Sequence, residues 1–182
     1  MRHKVKRLIL KLYFIFYASR IFSRILMPLL FSLEKFLPYK FSFSQFGEDQ
    51  LFYSLEKKHG TYVEIGCNHP ILASNSFRLY LNGWTGLAID GNALYQKFWN
   101  SARPKDTFIN TLIAAESKKD TPFYEHYAGY VSTAVVEHAE KFDMEDFNLT
   151  YRDSQSINEV LVKNNIQDID ILFIDIEGMD FE

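Results

Sequence analysis

The chain has 182 residues, 47% of them hydrophobic, enough for one domain with an appendage and too apolar for wholesale disorder. Its one cysteine, Cys67, excludes a disulfide framework or a cysteine-rich metal site within a single chain, and a reducing compartment is the natural setting. The formal net charge of -3 hides an asymmetry: residues 1–43 carry nine Lys/Arg and one acid, Glu34, whereas the remainder carries 11 basic and 22 acidic residues, a body that repels phosphates and is no general nucleic-acid binder.

Residues 8–37 are apolar and aromatic behind a basic head. A secretory signal would lead into a small-residue cleavage site, which is missing here. The charge-free stretches, 12–19 and 25–33, are short against the roughly 20 apolar residues of a spanning helix. Arg20 and Arg24 interrupt the only longer window, and intramembrane arginine is costly. At about 100° per residue, Arg7 and Lys11 fall on one side of a continuous helix and Arg20 and Arg24 roughly on the other, so one straight helix has no clean polar face. Pro28 adds a boundary. The expectation is one or two short basic helices that lie peripherally on an anionic membrane surface, pack on the body or a partner, or, least readily, span. In each case the basic head favours a cytoplasmic placement, on the inner face of a membrane.

Beyond residue 43 the pattern changes. Residues 49–58 read as a helix closed by Gly60, 62–65 as a strand ending at Gly66, and 71–82 as a helix stopped by Gly83. A second strand covers 84–90, a helix 94–101, and a third strand 107–115 after a turn at 103–106. This βαβαβ order demands a parallel sheet with right-handed crossovers. Residues 116–155 break the rhythm: 121–130 form a hairpin or a loop over the active face, 137–147 form a helix, and 151–153 show no clear preference. Ser156 with Glu159 has the capping-box spacing for a helix over 156–164. Residues 169–176, IDILFIDI, read as a buried central strand ending in Asp175-Ile-Glu177-Gly178.

Ligands of such sheets sit beyond the carboxyl ends of the strands. Gly66 follows the first strand and lets the chain turn and a cofactor approach. Glu64 and Asn68 are polar groups at that exit, and Asp90 ends the second strand, where a carboxylate can hold a ribose diol. Neither GxGxxG nor GxxxxGK[ST] occurs, so a pyrophosphate is disfavoured, and an acidic loop suits a cationic cofactor such as S-adenosylmethionine. Cys67 reads as a small buried residue of the cofactor wall, and His69, beside Pro70, as a shaper of the turn. Asp175 and Glu177 point the same way on an extended strand. Such a pair can orient a hydroxyl, act as a base or share a cation. No metal ligands are assigned.

Five segments, in order, resemble the FkbM-like family of S-adenosylmethionine-dependent methyltransferases: SQFGEDQ (44–50), VEIGCNHP (63–70), SNSFRLYLNGWTGLAID (74–90), RPKD (103–106) and LFIDIEGMDFE (172–182). The resemblance implies an α/β fold, a Rossmann-like class I methyltransferase sheet over 44–182 behind the helical arm 1–43. Its strands would follow the family order 3-2-1-4 and stop there, a truncated sheet whose apolar edge a partner or self-association would cover. It also implies S-adenosyl-L-methionine as cofactor. Glu64, Gly66 and Asn68 would line its methionine part, Asn75 would support the site, and Asp90 would bind the ribose hydroxyls. Asp175 and Glu177 would form the catalytic face, Glu177 as base or substrate-facing group and Asp175 nearer the cofactor. Cys67 stands where relatives have Ala, Pro70 where they often have Gly, and Gly91-Asn92 where a proline turn is common. The expected reaction is O-methylation of a small hydroxyl-bearing or sugar substrate. The alternatives are a noncatalytic membrane-associated protein with a degenerate or incomplete methyltransferase fold, and an NAD-type oxidoreductase, against which the missing glycine fingerprint counts.

Overall fold

Short aliphatic runs closed by glycine or polar turns build the main sheet. A computed structural model describes residues 2–37, 40–127 and 129–176. In it β1 (Thr61–Ile65), β2 (Thr85–Asp90) and β3 (Thr107–Asn110) are parallel neighbours, and the last described strand, Ile171–Ile174, lies on the other side of β1, parallel to it. The helices between them are α3 (Phe77–Leu81) and α4 (Gln96–Ala102), preceded in the arm by α1 (Arg2–Tyr17) and α2 (Met27–Leu33). The order is the 3-2-1-4 expected for the four strands.

Strand alternation sorts the core into two layers. Val63, Ile65, Leu87 and Ile89 pack with Val160 on one face. On the other, Tyr62 packs with Leu79 and Trp84, and Ala88 with Tyr95, Phe98 and Trp99.

Several elements differ from the sequence expectation. The third strand ends at Asn110 instead of reaching 115. Thr111 donates its N–H to the Asp90 carbonyl, the last bond between β2 and β3, and its hydroxyl to the Asp153 carbonyl, and beyond it the chain leaves the main sheet. It then forms β4 (Leu112–Ile113), β5 (Lys118–His126) and β6 (Phe147–Gln155), with α5 (Val136–Ala139) between the last two. These strands make a second sheet in the order β4-β6-β5, with β5 and β6 antiparallel. Residues 151–153 are therefore strand, and the helix expected over 137–147 is one turn, cut off before Asp143 takes up an extended backbone and caps a short 3-10 turn. The helix expected over 71–82 starts only at Phe77, because Ala73 is left-handed (φ 53°) and the His69 ring has captured the amides of Ile71 and Leu72. That over 49–58 is a 3-10 stretch, Glu48–Ser54.

Ser156 caps α6 (Ile157–Lys163) by accepting the Glu159 N–H. Glu159 does not reach back directly. Ser117 is inserted between them, donating to the Glu159 carboxylate (2.7 Å) and accepting the Ser156 N–H (3.0 Å). The last strand, β7 (Ile171–Ile174), is an edge among the described residues, with Leu172 and Ile174 exposed, and not the covered central strand its hydrophobicity implies.

The arm packs one stripe on the body. Phe14 and Ala18 are buried among Cys67, Tyr95, Phe98 and Trp99. A π-helical turn, Phe22–Leu26, joins α1 to α2, and there Arg24 reaches the carbonyls of Ser101 (2.7 Å) and Asn100 (3.3 Å) at the end of α4. Cations favour that end of a helix, where carbonyls lack partners. Past α2, Glu34 is buried and takes Arg78 at 3.1 Å, while Arg78 also meets Asp49 at 3.2 Å and lies over the Tyr53 ring. No single helix is long and apolar enough to cross a membrane; one bent pair, Leu8–Tyr17 with Phe22–Phe36 at 43°, passes by length and composition.

Arg78 thus neutralises two buried carboxylates, one of them the arm's. Removing one partner of a buried ion pair costs about 3–5 kcal/mol, so Arg78→Leu is expected to lower stability by that order in denaturant unfolding. Arg24→Ala, at an exposed site, should cost less than about 1 kcal/mol.

Candidate functional site

The carboxyl ends of β1, β2 and β7 open into a cleft with about 710 Å³ of empty space, its open mouth included. The second sheet and the segment around Tyr130 close its far side. Its floor is a set of backbone bonds. Gly66 and Cys67 both donate N–H groups to the Ile89 carbonyl (2.9 and 3.1 Å). The Asp90 carboxylate then takes the Asn68 N–H on one oxygen (2.8 Å) and the Asn92 N–H on the other (2.7 Å). Asp90 therefore ties the two strand ends together while lining the cleft. Burial pushes its pKa up to about 6, against the pull of the two amides.

Gly66 adopts φ 77°, and a Cβ there would lie 1.7 Å from the Asp175 carbonyl oxygen. The glycine is needed first because the exit of β7 crosses it, whatever else approaches from the cleft. Asn68 is also left-handed (φ 49°), a conformation asparagine tolerates. Its backbone is fully used, since its carbonyl accepts the Trp99 indole N–H at 2.8 Å. Its side-chain Oδ1 is buried with no hydrogen-bond partner among the described residues, and the residue lines the cleft. A buried acceptor without a donor costs roughly 1–3 kcal/mol. The cleft's described lining holds two carboxylates, Asp90 and Asp175, and no lysine or arginine.

The alternating strand sends Glu64 the other way. It is buried behind the loop, accepts the Ser76 hydroxyl and the Asn75 N–H, and does not line the cleft. Burial pushes its pKa up to about 7. Asn75 acts on Glu64 through its backbone. Glu177 lies outside the described residues.

Glu64 sits in the field of Arg103, whose role its place in RPKD did not disclose. Arg103 is fully buried and uses all five N–H donors. It bonds the Asp106 carboxylate (2.6 Å), the Pro70 carbonyl (3.2 Å), and the hydroxyls of Ser74 (3.2 Å), Ser76 (2.8 Å) and Tyr62. Its plane lies over Trp99. The cleft-lining residues Thr111, Tyr130, Ser132 and Thr133 were also not singled out. They lie in the connections that flank strands of the second sheet, whose pairing no local pattern announces.

These strand-end features fall inside one family pattern. The chain belongs to the FkbM methyltransferase family. The family model, described as Methyltransferase FkbM domain, matches residues 59–182. No curated protein and no solved structure matches the chain significantly. The FkbM match therefore covers β1 to β7 and the cleft, while the arm lies outside it.

Cys67 is no nucleophile in this FkbM domain: it is buried, and burial with the nearby Asp90 and Glu64 charges pushes its thiol well up. His69 is buried too. Its Nδ1 accepts the Ile71 and Leu72 N–H groups (3.2 and 3.1 Å), which fixes the proton on Nε2, and Nε2–H donates to the Phe14 carbonyl of α1 (3.3 Å).

Burial holds the His69 pKa at about 4 against an ordinary 6.5. The unfolded chain binds that proton first as pH falls, so the contribution of neutral His69 is complete above about 6.5 and is lost between about 6.5 and 4. Glu64 and Asp90 act oppositely, since raised carboxylates favour the folded state at low pH. Comparison with His69→Asn, which keeps an acceptor near the Nδ1 position, isolates the histidine: wild type should lose on the order of 3 kcal/mol more than the variant between pH 7 and pH 4 in urea unfolding. Arg103→Lys, with three donors on a point charge, is expected to cost about 3–5 kcal/mol in the same assay.

Proposed function

We propose that this FkbM-family chain binds S-adenosylmethionine in the cleft, on a Rossmann-like class I methyltransferase sheet, and transfers its methyl group to a hydroxyl of a small or sugar-like acceptor. The observation that carries the reading is the juxtaposition, in one cleft, of Asp90 at the end of β2 and its neighbour Asn68, whose buried Oδ1 has no hydrogen-bond partner among the described residues. Asp90 has lone pairs left after its two amide bonds, placed to accept two neighbouring hydroxyls of a ribose. Asn68 would accept an N–H or O–H of the cofactor. Two carboxylates with no cation in the described lining suit a positively charged ligand and repel a polyphosphate.

S-adenosylmethionine supplies, when bound, a methyl group on a positively charged sulfur. The chain's own part is alignment, because an in-line acceptor gains most of its rate from positioning. The rigid floor of amide bonds holds Asp90 and Asn68, the second sheet screens the far side from water, and Asp175 stands at the rim. Glu177, two residues further on, would take the acceptor's proton. The hydroxyl acceptor itself rests on the family resemblance.

Calorimetric titration of the full chain with S-adenosylmethionine is expected to show saturable binding. Asn68→Gly keeps both backbone bonds and suits the left-handed φ, so it should weaken binding roughly tenfold, about 1.4 kcal/mol, while moving the melting temperature by only a few degrees. A folded chain that binds no S-adenosylmethionine would refute the reading and leave the noncatalytic alternative. Binding of NADH in its place would favour the oxidoreductase.

A further inference from the structure

The arm has a second face that the body does not use. On α1 the side chains of Leu8, Leu12, Ile15 and Phe16 fall within an arc of roughly 100°, on the side of the helix away from buried Phe14 and Ala18. They are 50–58% exposed. Ile21 (73%), Ile25 (63%), Leu29 (55%) and Phe36 (74%) extend the apolar surface along the rest of the arm. Scattered apolar side chains need no explanation, but a band of this extent marks an interaction surface.

Charge says which kind. The arm's only acid, Glu34, is buried against Arg78. Among the described residues, no ion pair joins Lys11, Arg20 or Lys35 to a carboxylate of the acidic body, and all three are exposed. The outer surface of the arm is thus apolar and basic with no compensating acid. Two copies meeting through it would bring two like-charged arms together.

We propose that this face seats the protein on an anionic lipid bilayer, with the arm lying in the plane of the surface. Apolar side chains enter the headgroup boundary while the lysines and arginines meet the negative lipids. A spanning arrangement would have to strip Phe14 and Ala18 from the core and break the Arg24 bonds to α4. An in-plane seat keeps them all. The proposal does not depend on the cofactor, so it stands or falls separately from the methyltransferase reading.

Flotation of the full chain with vesicles tests it. Vesicles of three parts phosphatidylcholine to one part phosphatidylserine should bind at least about tenfold more tightly than pure phosphatidylcholine, with binding released by high salt. The double variant L12E/F16E alters only exposed positions and should lose about tenfold or more while its melting temperature stays near that of wild type. Equal binding to neutral and anionic vesicles would overturn the proposal. So would unchanged binding of the double variant, or a vesicle-independent dimer, seen by light scattering, that L12E/F16E dissociates.

Discussion

One guanidinium sets the position of almost everything around the cleft. Arg103 is taken fully out of water, an expensive step that only complete hydrogen bonding offsets. Its partners come from four places in the chain: β1 through Tyr62, the irregular segment before α3 through Pro70, Ser74 and Ser76, the turn before β3 through Asp106, and α4 through the Trp99 face. Asp106 in turn accepts the Tyr62 hydroxyl (2.6 Å) and the Gly86 N–H (3.0 Å) at the start of β2. The loop that lines the cleft is therefore held from behind, by a layer that is not part of the cleft lining. Glu64 belongs to that layer, through Ser76.

The same logic joins the arm to the cleft. Asn68 offers its free acceptor to the front, and its neighbour His69 offers its N–H to the back, to the Phe14 carbonyl of α1. The Phe14 ring lies edge-on to Tyr130, 5.7 Å between centroids, and Tyr130 lines the cleft. A helix outside the family-matched region thus supplies the wall against which two cleft segments rest. Its other face is left for something else.

Much of this was legible in the sequence because it depends on local chemistry. Aliphatic runs ending in glycine or Asp90 located β1 and β2 to within a residue or so, and the Ser156 cap is where its spacing put it. What could not be read depends on distant partners. Residues 71–76 carry no local signal against a helix, yet the His69 ring takes the amides of Ile71 and Leu72, and Arg103 from elsewhere takes the hydroxyls of Ser74 and Ser76. The chain leaves the main sheet after Thr111, whose hydroxyl is held by the carbonyl of Asp153, remote in sequence. Glu64 lies behind the loop for a simpler reason: the pleat decides which layer receives a strand-end side chain, and Val63 and Ile65 already occupy the layer of α6. The hydrophobicity of β7 correctly announced a strand but not its neighbours.

The docking site of α1 has a consequence for biosynthesis. Phe14 and Ala18 leave the ribosome well before the residues that bury them, Cys67, Tyr95, Phe98 and Trp99, exist. At roughly 5–20 residues per second, the interval is on the order of several seconds. During it both faces of the arm are uncovered at once, and any nearby chaperone or bilayer meets the whole apolar helix rather than its outer half. The finished protein's choice of partner for one face is therefore preceded by a nascent stage in which the body has yet to claim the other.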